Sequence, residues 1–257
     1  MKIPNYEIYA LKYAGPFARP KAMVTWFTDL DQIALIEYYV FVIRGGEQTI
    51  IVDCGCSPQL AKKRNLIHYV NPTEVLKRIG VDARKVENVV VTHIHFDHVS
   101  GINLFPRANV FVQESEFNFW IKNPMAQRAP FLLVTDPMAN RYLAKLQGTE
   151  RLRLIRGDRQ IFPGIELLRA PGHTIGHQVV AVQTAKGKAI IGSDAAHMFS
   201  SYRTDIPSAL ITDMIAWMKS YDKIRQKASS IDLIFPGHDP GMMQNYPKVA
   251  EDVTRLV

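Results

Sequence analysis

A buried strand that runs directly into a cluster of metal-ligating side chains constrains this chain more than any other feature. Residues Val86–Val91 form a short run rich in valine, which is typical of a strand covered on both faces. The chain continues as Thr92-His93-Ile94-His95-Phe96-Asp97-His98. Loops at strand ends are where α/β proteins carry their sites. The pattern therefore predicts an α/β fold with a metal site at the end of this strand.

The spacing within this loop indicates more than one metal ion. In an extended segment His93 and His95 point the same way, and a turn at Phe96–His98 sends Asp97 and His98 to a second point. Neutral imidazole and carboxylate are the ligands expected for Zn²⁺ and related divalent cations. One loop can therefore serve two ions.

A second cluster, Pro171-Gly172-His173-Thr174-Ile175-Gly176-His177, follows a predicted strand over Ile165–Ala170. Its proline and glycines interrupt any helix, so the segment is interpreted as a loop that carries one ligand. His173 lies nearest the strand end and is the predicted ligand. For His177 we expect a supporting hydrogen bond or a buried structural role.

Two further strands end in a ligand-type residue. Asp194 follows the strand Ala189–Gly192, and His238 follows the strand Ile231–Phe235. Taken together, the candidates give three protein ligands for each ion and one carboxylate that bridges them, with room for a bridging water. The predicted sets are His93, His95 and His173 for one ion, Asp97, His98 and His238 for the other, and Asp194 between them.

The rest of the chain shows two groups of strands with helices between and after them. Gly and Pro are spread evenly, without repeat or linker, so residues 1–257 are predicted to form a single domain. The pattern favours a layered α/β architecture with helices outside two packed sheets. The predicted helices after the first metal loop are Glu114–Ile121, Pro137–Leu146, Ile211–Lys227 and a closing helix over Pro247–Val257.

Composition limits the class of protein and the cellular compartment that are expected. The chain is 47% hydrophobic and 21% charged, as in ordinary globular proteins. Its apolar runs are far shorter than the roughly 18 residues of a membrane span, and residues 1–7 hold no apolar signal segment. Cys54 and Cys56 are too close for an unstrained disulfide and are predicted to be buried thiols. A cytoplasmic protein without a membrane partner is expected.

The net charge of +7 raises the question of an acidic partner. The basic residues are scattered and are not interleaved with aromatic side chains, so they are interpreted as a solvated surface rather than a nucleic-acid site. No nucleic-acid partner is therefore expected.

The order of the ligands, HxHxDH followed by His, Asp and His, resembles the metallo-β-lactamase superfamily. The segment Val52-Asp53-Cys54-Gly55 is similar to that family's early aspartate–glycine motif, in which the aspartate supports the metal loop by hydrogen bonds. The resemblance implies a four-layer αββα sandwich with a dinuclear metal site at one edge of the two sheets.

Within the superfamily, true β-lactamases lack a bridging aspartate such as Asp194, and flavodiiron proteins carry Glu at the position of His95. Glyoxalase II has a helical domain after the last histidine, for which this chain leaves no room. The length, the hairpin Tyr38–Ile51 and the closing segment around His238 most resemble the N-acyl homoserine lactonase family.

This resemblance implies a dinuclear hydrolase, with two divalent ions, first of all Zn²⁺. A metal-bridging hydroxide would open a lactone, either N-acyl homoserine lactone-like or another cyclic ester, and Asp97 would pass a proton to the leaving oxygen. The family's lactonases carry a carbonyl-polarising tyrosine three residues after the bridging aspartate; here that residue is His197, with Tyr202 as a nearby substitute. A phosphodiesterase or nuclease of the superfamily, or another ester or amide hydrolase, remains an alternative.

The resemblance also bears on substrate and assembly. The segment Met23–Phe27 lies where the family carries a loop over its site, and dimerisation through that loop is expected by resemblance alone. Apolar residues elsewhere could add walls for an acyl chain or an aromatic ring. The candidates are Phe119, Trp120, Met125, Phe131, Met198 and Phe199.

Overall fold

The computed structural model describes residues 3–257, and its strands form two sheets. The strands are β1 (Glu7–Pro20), β2 (Ile33–Gly45), β3 (Gln48–Val52), β4 (Asn88–Val90), β5 (Asn109–Gln113), β6 (Leu152–Ile155), β7 (Arg159–Phe162), β8 (Ile165–Arg169), β9 (Gln178–Thr184), β10 (Gly187–Ser193), β11 (Ile234–Pro236), β12 (Lys248–Ala250) and β13 (Val253–Arg255). The first sheet has eight strands in the order β12-β13-β1-β2-β3-β4-β5-β6, and the second has five in the order β11-β10-β9-β8-β7.

Short helices connect these strands and cover the outer faces of the sheets. The α-helices are α1 (Lys21–Val24), α2 (Pro58–Lys63), α3 (Pro72–Lys77), α4 (Phe96–Val99), α5 (Glu114–Phe117), α6 (Ala129–Leu132), α7 (Pro137–Leu146), α8 (Ser201–Thr204), α9 (Met214–Lys227) and α10 (Gly241–Gln244). Four 3₁₀ turns cover Ala83–Lys85, Ile102–Leu104, Pro124–Gln127 and Ile231–Leu233, and a π turn covers Asn118–Lys122.

Three apolar layers hold the sandwich together. Alternate residues of the central strands, such as Phe41 and Val180, meet between the two sheets. On the outer face of the first sheet, Val42 packs in a cluster with Leu143 of α7. On the outer face of the second sheet, Ile190 packs in a cluster with Trp217 of α9. This order of layers confirms the predicted four-layer αββα sandwich.

Strand direction brings the ligand-bearing loops to one edge. β3 and β4 are parallel, with Val52 beside Val90, so the segments that follow them run side by side. In the second sheet β10 and β11 are parallel, and β8 and β10 are both antiparallel to β9. The carboxyl ends of β4, β8, β10 and β11 therefore carry the loops of His93, His173, Asp194 and His238.

The predicted closing helix over Pro247–Val257 is wrong. This segment forms the hairpin β12–β13, and β13 pairs with β1 through Tyr9 and Arg255. A free edge of the first sheet satisfies the backbone groups of the segment, and this tertiary pairing overrides its helical pattern. The 3₁₀ turn at Ile231–Leu233 likewise replaces the start of the strand predicted from Ile231.

Two other expectations concern the setting of the chain. Cys54 and Cys56 are buried free thiols, as predicted. Every helix in the described part of the chain falls short of the length and apolarity that a bilayer crossing requires.

Candidate metal centre

A first group of donor atoms gathers around one oxygen of Asp194. The Nε2 atom of His173 lies 3.0 Å from Nδ1 of His95 and 3.2 Å from Oδ2 of Asp194. The Nε2 atom of His93 lies 3.9 Å from the same oxygen. Ligands that share one ion at bonds of about 2 Å are separated by distances of this order. His93, His95, His173 and Asp194 can therefore hold one metal ion.

A second group faces the other oxygen of the same carboxylate. Oδ1 of Asp194 lies 3.1 Å from Nε2 of His98 and 3.0 Å from Nε2 of His238. Oδ2 of Asp97 lies 3.7 Å from each of these two nitrogens. Asp97, His98 and His238 form a second possible metal group. The structure thus brings all seven predicted ligands together, with Asp194 between the two groups.

The second nitrogen of each ring fixes the orientation of the first. Nδ1 of His98 lies 2.7 Å from Oδ2 of Asp53, Nδ1 of His173 lies 2.8 Å from the carbonyl oxygen of Leu210, and Nδ1 of His238 lies 2.9 Å from that of Glu37. An Nδ1–H that donates in this way leaves the Nε2 lone pair free for a metal. These partners hold the three rings in the tautomer that a metal site needs.

Asp53 connects the end of β3 to the metal loop. Its Oδ1 accepts a hydrogen bond from the backbone N–H of Thr92 at 2.8 Å, while Oδ2 faces His98 and the Ser193 hydroxyl. Asp53 and Ser193 both have positive φ angles, 63° and 45°, which few non-glycine residues adopt. Asp53 thus supports the loop by hydrogen bonds and lies outside both ligand groups, as expected.

Glu116 is a buried carboxylate that sequence reasoning missed. Its Oε1 accepts from the backbone N–H of Ile94 at 2.9 Å and from the indole of Trp120 at 2.7 Å. Its Oε2 accepts from the backbone N–H of Gly176 at 2.8 Å. One side chain on α5 therefore joins the loop of His93 and His95 to the loop of His173.

The donor set fits a pair of divalent cations. His93 Nε2, His98 Nε2 and Asp194 Oδ1 are buried and have no hydrogen-bond partner in the described structure, which is costly unless another group satisfies them. Burial lowers the pKa of His93 and of His95, so both rings are neutral, the form that binds metals. Burial alone would raise the pKa of Asp194, but His238 and His98 outweigh it and keep this carboxylate ionised.

Two glycines allow the close approach of these groups. A Cβ atom on Gly237 would lie 2.5 Å from Oδ1 of Asp194, and one on Gly172 would lie 2.3 Å from Cβ of Trp217. Gly172 also has a φ of +136°, which side chains rarely tolerate. Both positions therefore require glycine for the metal loops to pack as they do.

The model of the metallo-beta-lactamase superfamily matches residues 37–238, which include all seven of these side chains. The chain belongs to the metallo-β-lactamase superfamily. An N-acyl homoserine lactonase of a Bacillus species is 27% identical over 217 residues, which cover 78% of this chain and 80% of that protein. A second N-acyl homoserine lactonase, from Rhizobium radiobacter, is 26% identical and covers 68% and 66% of the two chains.

Solved structures of superfamily members share the whole fold. An N-acyl homoserine lactone hydrolase with the product N-hexanoyl-L-homoserine at its catalytic metal centre superimposes with a TM-score of 0.76. That chain is 18% identical, and the match covers 97% of this chain and 98% of the other. A dizinc quorum-quenching lactonase gives a TM-score of 0.68 at 19% identity, with coverages of 93% and 90%.

His197 and Tyr202 are the two candidate catalytic residues outside the ligand groups. His197 lies beside the ligands, whereas Tyr202 does not. His197 lines the metal-centre cavity, and its ring centroid lies 4.9 Å from that of His238. Burial lowers the pKa of His197 to about 3, so its ring is neutral and can donate one N–H. Tyr202 is buried in the core, where its hydroxyl donates to the carbonyl oxygen of Ile234 at 3.0 Å. This structural hydrogen bond corrects the expectation that Tyr202 could act on a substrate.

His177 belongs to neither ligand group. Its ring is buried and stacks on that of His93, with centroids 4.8 Å apart. Neither of its ring nitrogens has a hydrogen-bond partner in the described structure. A packing role against His93 fits this position better than the supporting hydrogen bond considered from the sequence.

A small cavity of about 120 Å³ opens over the ligands. Met23 of the predicted loop contributes to its wall. The six apolar residues proposed from the sequence are not among its lining residues, although Trp120 packs edge-on against His95, with ring centroids 5.5 Å apart. The apolar walls are Met23, Val24, Ile36, Phe96, Val134 and Leu210.

Proposed function

We propose that this protein is a metal-dependent hydrolase that opens the ring of a lactone, with N-acyl homoserine lactones as its substrate class. The observation that carries the proposal is the arrangement of Asp194, whose two oxygens each face one group of three ligands beneath a cavity. The lactonase relatives support the choice of substrate class.

We propose that the seven side chains hold two divalent ions, first of all Zn²⁺. When bound, such a pair lowers the pKa of water and polarises a carbonyl oxygen, which is the chemistry that ester hydrolysis needs. Asp97 lines the cavity as well as facing His98 and His238, so its carboxylate can take a proton from the attacking water and pass it to the ring oxygen that leaves.

His197 is our candidate for a donor to the reacting carbonyl, because it is neutral and lines the cavity beside the ligands. Replacing His197 by Phe keeps an aromatic ring of similar shape and removes both nitrogens. We expect kcat to fall by about a hundredfold to a thousandfold, as for other single oxyanion donors, with both metal ions retained. Unchanged turnover would remove His197 from the mechanism.

The dimensions of the cavity favour a small substrate over a nucleic acid. Its volume of about 120 Å³ and its apolar walls suit a lactone ring and the start of an acyl chain. The alternative function is that of a phosphodiesterase or nuclease of the superfamily. Only the net positive charge of the chain favours it. A homodimer through the loop Met23–Phe27, whose Trp26 and Phe27 side chains are exposed, stays a prediction, and sedimentation would test it.

The test combines metal content with a substrate panel. Protein purified without chelator is assayed for stoichiometric transition metal, and is then offered lactones of varied acyl length, aryl esters and a phosphodiester. We expect two metal equivalents and ring opening of the acyl homoserine lactones. Absence of bound metal, or turnover of the phosphodiester alone, would contradict the proposal.

A further inference from the structure

The polar side chains of the metal-centre cavity are few. Besides the ligands His95, Asp97, Asp194 and His238, the lining has three polar or charged side chains, which are His197, Tyr38 and Arg19. His197 lies against His238, at the metals. Tyr38 and Arg19 lie on β2 and β1, so the first sheet supplies a second polar region within an otherwise apolar wall.

Arg19 is a cation without a carboxylate partner. In the described part of the chain no acidic side chain lies within ion-pair distance of its guanidinium, which donates to the carbonyl oxygen of Ala18 at 3.1 Å. Arg156 and Arg225 are paired with carboxylates, whereas Arg151 has no such pair but donates to the carbonyl oxygens of Ala108 and Phe105. A guanidinium has five N–H donors, so most of those on Arg19 are available to a molecule in the cavity.

Phe17 packs against both Arg19 and Tyr38. The guanidinium of Arg19 lies 5.3 Å from the Phe17 ring centroid, and the Tyr38 ring lies 4.7 Å from it. On its other side Tyr38 contacts the metal site, because its ring meets that of His238 edge to face at 5.2 Å. Tyr38 thus spans the distance between the metal ligands and Arg19.

Tyr38 is a neutral hydrogen-bond donor. A phenol is protonated at neutral pH, because its ordinary pKa is about 10. The two groups together offer a neutral and a charged donor to one acceptor.

We propose that Arg19 and Tyr38 bind a second acceptor oxygen of the substrate, the carbonyl oxygen of an acylamino group next to the lactone ring. The apolar residues Met23 and Val24 line the same cavity as Arg19, which suits the aliphatic chain that follows such a carbonyl. The inference rests on the proposed lactonase function and extends it to the recognition of the amide.

The experiment compares two lactones that differ in the amide alone. One is N-hexanoyl-L-homoserine lactone, and the other is α-heptyl-γ-butyrolactone, which has the same ring and chain length without the amide. KM and kcat are measured on the metal-loaded protein for wild type, Arg19→Met and Tyr38→Phe. Calorimetry measures the binding of the two ring-opened products to the same proteins, as a readout independent of turnover.

We expect Arg19→Met to raise KM for the acyl homoserine lactone by about tenfold or more and Tyr38→Phe by about threefold, the usual effects of losing a charged and a neutral hydrogen bond. Affinity for its product should fall in parallel, while kcat and the values for the heptyl lactone stay within about twofold. Tyr9→Phe is the matched control, because the Tyr9 hydroxyl bonds Glu7 outside the cavity.

The outcomes distinguish a failure of amide recognition by Arg19 and Tyr38 from a failure of the proposed lactonase function. Equal losses on both lactones, or none on either, would overturn the role of Arg19 and Tyr38. A wild-type protein that opens the heptyl lactone alone would overturn amide recognition and leave a lactonase. A wild-type protein that opens neither lactone would overturn the proposed function, and this inference with it.

Discussion

Asp194 is the residue on which both ligand groups depend. Its Oδ2 faces His173 at 3.2 Å and its Oδ1 faces His238 at 3.0 Å, so neither group is complete without it. Ser193, the residue before it, has a positive φ that turns the chain out of β10 toward the centre. The strained backbone of Ser193 thus positions the Asp194 carboxylate, which both ligand groups share.

Replacing Asp194 by Ala should lower the bound metal from two equivalents toward one or none. The substitution removes an oxygen ligand from each group, together with the negative charge that offsets the charge of the two cations. Metal content by elemental analysis checks this, with Asp222→Ala on the exposed face of α9 as a control. Two retained ions would contradict the bridging role.

The seven candidate ligands could be predicted from the sequence because each lies in a loop that begins where a short apolar run ends. Strand ends meet at one sheet edge, so the position of His173 or Asp194 after a strand carries spatial information. Glu116, Arg19 and Tyr38 have no such signal. Their roles depend on which loop or cavity the finished fold brings near them, and a buried tyrosine in a strand looks like any other core residue.

At the scale of elements, α5 acts as a clamp between two metal loops. Its residue Glu116 accepts from Ile94 of one loop and Gly176 of the other, and both oxygens are used. Close packing supports this contact, because a Cβ atom on Gly176 would lie 2.3 Å from the backbone nitrogen of Glu116. The clamp fixes the separation of the loops before any metal binds.

Replacing Glu116 by Gln should loosen the clamp without changing its shape. The new NH₂ group must face either Gly176 or the pair formed by Ile94 and Trp120, so at least one buried N–H loses its acceptor, at about 1–3 kcal/mol of unfolding free energy. We also expect weaker metal binding, by about tenfold or more.

Urea unfolding and metal titration measure these two effects of Glu116→Gln. Glu114→Gln is the matched control, since its carboxylate lies two residues away and pairs with Arg156 at the surface. Equal stability and metal affinity in the two variants would show that the clamp contributes nothing.

The carboxyl-terminal hairpin β12–β13 shows what sequence patterns leave out. Its turn residue Asp252 has a positive φ of 55° and pairs with Lys12 of β1 at 3.1 Å and with Arg78 at 2.9 Å. These contacts, like the pairing of β13 with β1, join residues more than 170 positions apart. Local helix propensity carries no information about such long-range contacts, so the helix predicted over Pro247–Val257 is wrong.

Asp252 makes the stability of this hairpin depend on pH. Its ion pairs with Arg78 and Lys12 outweigh burial and lower the pKa of Asp252 below its ordinary value of 3.8. A carboxyl whose folded pKa is depressed stabilises the protein above its unfolded pKa, and this contribution is lost as pH falls through the folded value.

We therefore expect Asp252→Asn to be less stable than wild type at pH 6 and to approach it as the pH falls toward 2. Asparagine also tolerates the positive φ of the turn, so the backbone is preserved. Chemical unfolding at a series of pH values measures the difference, and a gap that stays constant with pH would contradict the ion-pair explanation.

At the scale of the whole molecule, the metal centre lies across the two sheets. His93, His95, Asp97 and His98 follow a strand of the first sheet, while His173, Asp194 and His238 follow strands of the second. The sheets also share one apolar layer. Metal binding and the packing of the sheets should therefore stabilise the same folded state, and we propose that residues 1–257 unfold as one domain.

Removal of the metal should lower the melting temperature without dividing the transition. A ligand that binds the folded state alone adds about 4 kcal/mol when its free concentration is a thousandfold above Kd, so chelation should destabilise the protein by an amount of this order. Trp120 packs in the core cluster of the first sheet and Trp217 in that of the second, so Trp120→Phe and Trp217→Phe, each combined with Trp26→Phe, leave a single tryptophan as a fluorescence probe on one side. The two variants should each melt in a single step that coincides with the far-ultraviolet circular dichroism. Separate transitions for the two probes would mean that the sheets unfold independently and that the metal centre does not join them.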